Sequence, residues 1–128
     1  MRPSGHSNSI ANFAMINKMK VINKTKQTTI AENIIIPKTL LDQSLGLLKH
    51  KTPVAMLFKT RYGIHTFGMK YAIDVLILDK ENRVVAMKEN LKPNRIFVWD
   101  TKYETVLELP QQTIKKTKTE TDDTLLFR

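Results

Sequence analysis

A chain of 128 residues, 41% of them hydrophobic and 26% charged, has the length and composition of a single globular domain. It contains no cysteine, which excludes a disulfide framework, a thiolate nucleophile and zinc sites built from cysteine. Its net charge of +9 favours either an anionic partner, such as nucleic acid or a membrane surface, or a lysine-rich surface that keeps the protein in solution.

The N-terminal segment, residues 1–17, is predicted to be a flexible tail, with residues 18–128 forming one domain. The tail is rich in Ser and Asn and has neither the continuous apolar core nor the cleavage-like site of a signal peptide. Apolar runs elsewhere are far shorter than the roughly 20 residues that span a bilayer, so no membrane span is expected. Together with the lack of cysteine, these features predict a cytoplasmic protein.

The first predicted elements are a β-hairpin and a helix. Lys18–Thr25 alternates polar and apolar residues, and Thr28–Ile36 is rich in β-branched residues, so the two segments are predicted to be paired strands. Pro37 ends the second strand because it has no N–H for the ladder, and it suits the first turn of a helix. Apolar residues three and four apart then predict one amphipathic helix that ends near His50.

The rest of the chain is predicted to be mostly short strands. The apolar segment Ala72–Leu78, the polar turn after it and the returning segment Arg83–Lys88 form the clearest hairpin. Residues 111–118 are predicted to form a helical turn. The other predicted strands are Val54–Lys59, His65–Met69, Thr105–Leu109 and Thr124–Phe127. Many short strands with one main helix predict an α+β domain with a largely antiparallel, strongly bent, barrel-like β-sheet.

Two carboxylates, Asp74 and Glu108, are embedded in apolar strands. Such a carboxylate has to be paired, hydrogen-bonded or protonated. Because Lys70 and His65 come just before the Asp74 strand, one interpretation is a polar pocket lined by all four side chains. The alternative is structural, with the carboxylates in ion pairs or accepting backbone N–H groups near strand ends.

Strand geometry relates Lys70 to Asp74. Alternate residues of an extended strand share a face, so the two side chains point the same way but lie about 13 Å apart at ~3.3 Å per residue. Since that separation is too large for an ion pair, each is expected to have a different partner. Glu108 on a neighbouring strand is the best candidate for Lys70.

No catalytic or cofactor motif identifies a reaction. The four glycines are too scattered for a phosphate-binding loop, and the three histidines lack metal-ligand spacing, so no cofactor and no metal site are predicted. No serine has the context of a nucleophile elbow. A hydrolase-like enzyme with Asp74 or His65 as general base is a third hypothesis, which requires a perturbed pKa in a cleft.

Aromatic residues alternate with basic residues around Arg61 and Phe67 and again in residues 95–103. Bases stacked on aromatic rings beside Lys and Arg are typical of single-stranded nucleic-acid binding. The alternative interpretation makes Phe97 and Trp99 core anchors of a long loop. Lysine outnumbers arginine by 16 to 5, whereas specific nucleic-acid readers favour arginine. Nucleic-acid binding by a lysine-rich face is therefore the second hypothesis.

The stretch 37–127 resembles the bacterial and archaeal proteins grouped as domain of unknown function 192. "GLL" is similar to the family's "GLM" after its helix, and "AMLF" is similar to its "GMLF" strand. "FGMKYAIDVLILD" is similar to its most specific signature, and "VLELP" to a later strand. These matches and an aspartate near the end single out Met69, Lys70, Asp74, Glu108 and Asp123.

The chain departs from the family pattern at Gln43, Tyr71, Gln112 and Asp122, which replace an Arg, an Asn and two Gly residues. The resemblance therefore implies the fold, and it brings no established activity. The leading hypothesis is a non-catalytic module that binds a small anion or a peptide group. Its predicted ligand-binding residues are Lys70, Asp74, Glu108, His65 and Met69.

Overall fold

The computed structural model of the chain describes residues 14–37 and 54–128, with no side-chain detail for residues 14–17. This part of the chain is mostly sheet, with a single short helix, α1 (Thr113–Thr117). The strands are β1 (Ala14–Asn17), β2 (Val21–Asn23), β3 (Thr28–Ala31), β4 (Ile34–Pro37), β5 (Met56–Lys59), β6 (Ile64–His65), β7 (Ile73–Leu78), β8 (Val84–Leu91), β9 (Ile96–Phe97), β10 (Thr105–Pro110) and β11 (Leu125–Phe127).

The described strands form three sheets. The largest has six strands in the order β1-β4-β5-β10-β7-β8, and the others are β11-β2-β3 and β6-β9. Every pairing is antiparallel except β4 with β5, so the prediction of a largely antiparallel sheet is confirmed. The sheets do not close into a barrel, and the barrel-like shape is not confirmed.

The centre of the fold is β7, in which all six residues are buried. Successive side chains of a strand point to opposite faces, so this unbroken apolar run requires a cover on both sides. On one side, Leu76 and Leu78 pack with residues of α1 and the three-stranded sheet; we call this the α1 face. On the other, Val75 and Ile77 pack with residues of β6 and β9; we call this the β9 face.

The two predicted hairpins are confirmed. β2 pairs with β3, and β7 pairs with β8 across the turn at Asp79–Arg83. The turn is held by Asp79, whose Oδ1 accepts the backbone N–H groups of Glu81 and Arg83. Asn82 supplies the left-handed residue of this turn, at φ 63°.

Two predicted features, the main helix and the N-terminal tail, lie wholly or mostly outside the residues that the structure describes. The predicted main helix falls on residues 38–50, which lie outside them, while Pro37 is the last residue of β4. Strand β1 lies within residues 14–17, the end of the predicted tail, and pairs with β4. The division into tail and domain at residue 17 stays a prediction. In the described ranges, no helix is long and apolar enough to cross a membrane.

Candidate functional site

Asp74 is 1% exposed and lies on the α1 face. Its Oδ1 accepts the backbone N–H of Asn90 at 2.9 Å, and its Oδ2 accepts the backbone N–H of Ile114 at 2.9 Å. Ile114 is in the first turn of α1, where a backbone N–H has no partner within the helix. The carboxylate therefore joins β7 to the end of β8 and the start of α1, as the structural alternative predicts.

Glu108 lies in a different environment, on the β9 face. It is 2% exposed, and burial raises the pKa of its carboxyl to about 8. The Glu108 Oε1 and the hydroxyl of Tyr71 are buried atoms for which no hydrogen-bond partner exists among the described residues. Burial, and then the charge of Glu108, raises the pKa of Tyr71. At neutral pH the Glu108 carboxyl is therefore protonated.

The five residues predicted to bind a ligand are not brought into one pocket. Met69 is buried in the core of the β9 face, and Lys70 is exposed. Among the described side chains, no ion pair joins Lys70 to Glu108, contrary to the expected partnership, because Glu108 is enclosed by apolar residues. The His65 ring is exposed, and its Nδ1 accepts the backbone N–H of Phe67 at 3.2 Å.

A small polar cleft of about 190 Å³ lies beside Asp74. It is lined by Asp74, Glu89, Asn90, Gln111, Gln112 and Lys115. Gln111 donates to the Asn90 side-chain oxygen at 2.8 Å. Because both oxygens of Asp74 already accept backbone N–H groups, the cleft offers a ligand the side-chain amides of Asn90, Gln111 and Gln112, with one carboxylate, Glu89, and one lysine, Lys115. In the part of the chain that the structure describes, no three His, Cys, Asp or Glu side chains lie close enough to hold a metal ion.

A larger groove of about 550 Å³ lies at the opposite end of β7. Its size falls within the range of roughly 300–1,000 Å³ that is usual for small-molecule sites. The groove is bounded by the last residue of β5, the first residue of β10 and the turn between β7 and β8. Its floor is apolar and consists of Met19, Ile36, Leu57, Leu78 and Phe127.

The rim of the groove is basic. Its two acids are already engaged: Asp79 accepts from the Arg83 Nε at 3.1 Å, and Glu104 lies 3.5 Å from an Arg61 nitrogen. The other charges on the rim are three exposed lysines, Lys59, Lys80 and Lys102, for which the described residues provide no ion pair. The Lys102 ammonium lies 5.3 Å from the centre of the Tyr103 ring, within cation–π range.

Sequence reasoning missed this groove. Its lysines come from three separate segments, and none of them interrupts an apolar run as Asp74 and Glu108 do. Lys59 is the last residue of β5, Lys80 follows β7 and Lys102 precedes β10, so each lies near one end of an apolar strand, and this position is the only signal of the groove in the sequence. The register between strands was needed to bring those ends together.

The described residues form a sheet-dominated domain with a basic groove at one end. A family of proteins shares the sequence pattern of this chain. The model of the DUF192 family (domain of unknown function 192), described as "Uncharacterized ACR", matches residues 21–127. The chain belongs to this family, as the motifs predicted.

A relative agrees with this assignment, and two solved structures share the fold. A UPF0127 protein of Pyrococcus horikoshii is 30% identical over 109 residues, covering 80% of this chain and 94% of the relative. A Sinorhizobium meliloti protein, provisionally named a transcription regulator, has a similar structure with a TM-score of 0.68 at 17% identity, covering 90% of this chain and 95% of that one. The structure of a protein of unknown function from Novosphingobium aromaticivorans is similar with a TM-score of 0.63 at 13% identity, covering 87% of this chain and 84% of that one. At these identities the two structures show the fold alone.

Proposed function

We propose that the chain is a non-catalytic binding module whose site is the basic groove and whose ligand is a small organic anion with an apolar body. The observation that carries this proposal is the combination of an apolar floor with three exposed lysines on one rim. The floor would cover the apolar part of the ligand, and the lysines would contact its anionic end. Because the two acids of the rim are paired to arginines, they do not cancel this positive charge.

Physical magnitudes support an amphipathic ligand rather than a bare inorganic anion. An exposed ion pair contributes only about 0.2–1 kcal/mol, so three lysines alone would hold an anion weakly. Covering apolar surface adds about 25 cal/mol per Å², which makes the floor the larger source of affinity. The lysines would then fix the orientation of the ligand and select its charge.

The test uses two anionic probes, anilinonaphthalene sulfonate and dodecanoate. Saturable fluorescence enhancement by the first, with competition by the second, is expected for the unaltered protein. Replacing Lys59, Lys80 and Lys102 together by Ala should weaken binding about tenfold or more. The matched control replaces Lys24, Lys88 and Lys116, three exposed lysines outside the groove, with the same change in net charge.

The control triple variant is expected to bind within about twofold of the unaltered protein. Equal losses in both triple variants would show a general charge effect and would overturn the groove as the site. Absence of saturable binding by the unaltered protein would overturn the ligand class. Circular dichroism melts of each variant separate loss of binding from loss of fold.

A further inference from the structure

The two-stranded sheet of β6 and β9 presents apolar side chains to solvent. His65 is paired in register with Ile96, which is 65% exposed, while the neighbouring pair Ile64 and Phe97 packs into the core. Phe67 is 50% exposed, and its ring stacks on His65 with the ring centres 4.9 Å apart. Val98 is 63% exposed. We call the outer surface formed by His65, Phe67, Ile96 and Val98 the aromatic face. The exposed Tyr62 adjoins Gly63, which lies against Val98.

The two segments that carry the aromatic face contain basic residues and no acidic ones. Residues 62–72 and 92–99, the segments that carry it, contain Lys70, Lys92 and Arg95 and no Asp or Glu. All three basic side chains are exposed. None of them forms an ion pair within the described ranges. An apolar platform bordered by three exposed basic side chains that form no ion pair among the described residues therefore faces solvent.

The platform is held rigidly from below by Thr66, which is fully buried. Its hydroxyl donates to the carbonyl of Lys92 at 2.6 Å and accepts the backbone N–H of Arg95 at 2.9 Å. The backbone N–H of Thr66 donates to the carbonyl of Arg95, and the Thr66 carbonyl accepts from Asn94. These bonds fix the backbone at Phe67 and Arg95 on adjacent segments, so the backbone that carries the face loses little conformational entropy when a ligand binds.

We propose that the aromatic face binds single-stranded nucleic acid, with bases stacked on Phe67 and Tyr62 and phosphates contacting Lys70, Lys92 and Arg95. A nucleic-acid strand combines flat π surfaces with a regular negative charge, and the face offers the complement of both. The surface is distinct from the basic groove and shares none of these residues with it. The proposal is therefore independent of the function proposed for the groove.

The first test measures fluorescence anisotropy with labelled oligouridine and oligothymidine of about 12 nucleotides, a length within the usual site sizes. Phe67→Ala should weaken binding of both strands by about 5- to 100-fold, the loss expected for one stacked base. The matched control is Leu126→Ala, which removes another partly exposed apolar side chain from the separate three-stranded sheet. This control is expected to stay within about twofold of the unaltered protein.

The second test measures the salt dependence between about 50 and 200 mM KCl. Replacing Lys70, Lys92 and Arg95 by Ala should reduce the slope of log affinity against log salt by about 2, since each phosphate contact on a single strand contributes ~0.7. The triple variant of Lys24, Lys88 and Lys116 should retain the slope. The groove variant of Lys59, Lys80 and Lys102 should also retain it, which keeps the two proposals distinguishable.

Three outcomes would overturn the proposal. The first is no oligonucleotide binding by the unaltered protein at the lower salt concentration. The second is equal weakening by Phe67→Ala and Leu126→Ala. The third is binding to vesicles of phosphatidylserine and phosphatidylcholine that depends on Phe67 while neither oligonucleotide binds, which would assign the face to an anionic membrane surface. A difference between oligouridine and oligothymidine would support the proposal, and oligodeoxyuridine would then separate the effect of the sugar 2′-hydroxyl from that of the thymine methyl group.

Discussion

Asp74 and Glu108 lie on adjacent strands of the six-stranded sheet, yet their carboxylates face opposite sides of it. In the register of β7 and β10, Asp74 is paired with Leu109 and Val75 is paired with Glu108. Paired residues share a face, so Glu108 lies with Val75 on the β9 face and Asp74 lies with Leu109 on the α1 face. Two carboxylates in similar sequence contexts therefore have different surroundings, one hydrogen-bonded to backbone N–H groups and the other desolvated.

The first prediction is that Asp74→Ala lowers the free energy of unfolding by more than about 2 kcal/mol, because two N–H groups lose a charged acceptor. Asp74→Asn should be less damaging, since its side-chain oxygen can still accept from either Asn90 or Ile114. Urea denaturation with the three proteins in parallel measures both differences. An unchanged midpoint for the Ala variant would contradict the structural role.

The second prediction concerns the pH dependence of Glu108. Its pKa is about 8 in the folded protein against an ordinary value of 4.5. Between these values the folded protein holds a proton that the unfolded chain has released, so stability falls as pH rises through this window and levels off above about pH 8. Glu108→Gln removes this loss. Relative to the unaltered protein, the free energy of unfolding of the variant should rise by on the order of 1 kcal/mol per pH unit across this window, a few kcal/mol in all.

Denaturation midpoints at a series of pH values from acid to mildly alkaline test this prediction. Glu89→Gln is the control, because Glu89 is exposed on β8 and undergoes the same replacement of a carboxyl by an amide. Parallel pH profiles for the unaltered protein and both variants would mean that Glu108 is solvated or paired in the folded state.

The contrast between predicted strands and predicted site has a physical cause. Strands β7 and β8 have six and eight residues, which is long enough for a strand to be recognised in the sequence. Strands β6 and β9 have two residues each, which is too short to show any hydrophobic periodicity. Strand geometry correctly predicted that Lys70 and Asp74 do not pair with each other, but the partner expected for Lys70 was wrong, because Lys70 is exposed and forms no ion pair among the described residues. The face of Glu108 relative to Asp74 depends on the register between strands, and a shift by one residue reverses it.

The same reasoning explains which aromatic residues were interpreted correctly. Phe97 and Trp99 pack against the core of the β9 face, and the Trp99 indole N–H donates to the Tyr103 carbonyl at 2.8 Å. The core-anchor interpretation of these two residues is confirmed. Ile96 and Val98 alternate with them along the chain and therefore point outward into solvent. The prediction considered only basic and aromatic residues, so it did not identify these two exposed aliphatic side chains.

The third prediction concerns Asp123, which is 4% exposed and joins the C-terminal segment to the β2–β3 hairpin. Its Oδ2 accepts from the Asn23 side-chain amide at 2.9 Å, from the Lys26 ammonium at 2.8 Å and from the backbone N–H of Glu120 at 2.9 Å. Burial alone would raise the pKa of Asp123, but the hydrogen bonds from Asn23 and Lys26 outweigh it and hold the pKa below its ordinary value.

Asp123→Asn should therefore lower the free energy of unfolding at neutral pH by about 1–3 kcal/mol, the range for a buried hydrogen-bonded charge. The difference should shrink as pH falls through the ordinary range of aspartate towards the lowered pKa, because the unaltered protein loses its own charge there. Asp122→Asn is the control, since Asp122 is exposed and has a left-handed backbone that Asn tolerates. Comparable losses in both variants would contradict the prediction.

The fourth prediction concerns Gly63, which precedes β6 and supports the aromatic face. Its φ of +103° is outside the range that residues with a side chain adopt readily. A Cβ atom at this position would lie 2.9 Å from the Phe97 carbonyl oxygen and 2.9 Å from the Val98 Cγ1. The absence of a side chain therefore allows Val98 to lie over residue 63 and allows β9 to approach it closely.

Gly63→Ala should lower the free energy of unfolding by about 1–3 kcal/mol, from backbone strain together with the two close contacts. Val98→Ala alone should change stability by less than about 0.5 kcal/mol because its side chain is mostly exposed. The double variant should recover only part of the loss, since truncating Val98 removes the contact with Cγ1 and leaves the contact with the Phe97 carbonyl and the strained φ. A double-mutant cycle in urea gives this coupling directly. Full recovery in the double variant would assign the strain to the Val98 side chain alone. If Gly63→Ala alone were as stable as the unaltered protein, the close approach of β9 to residue 63 would be contradicted.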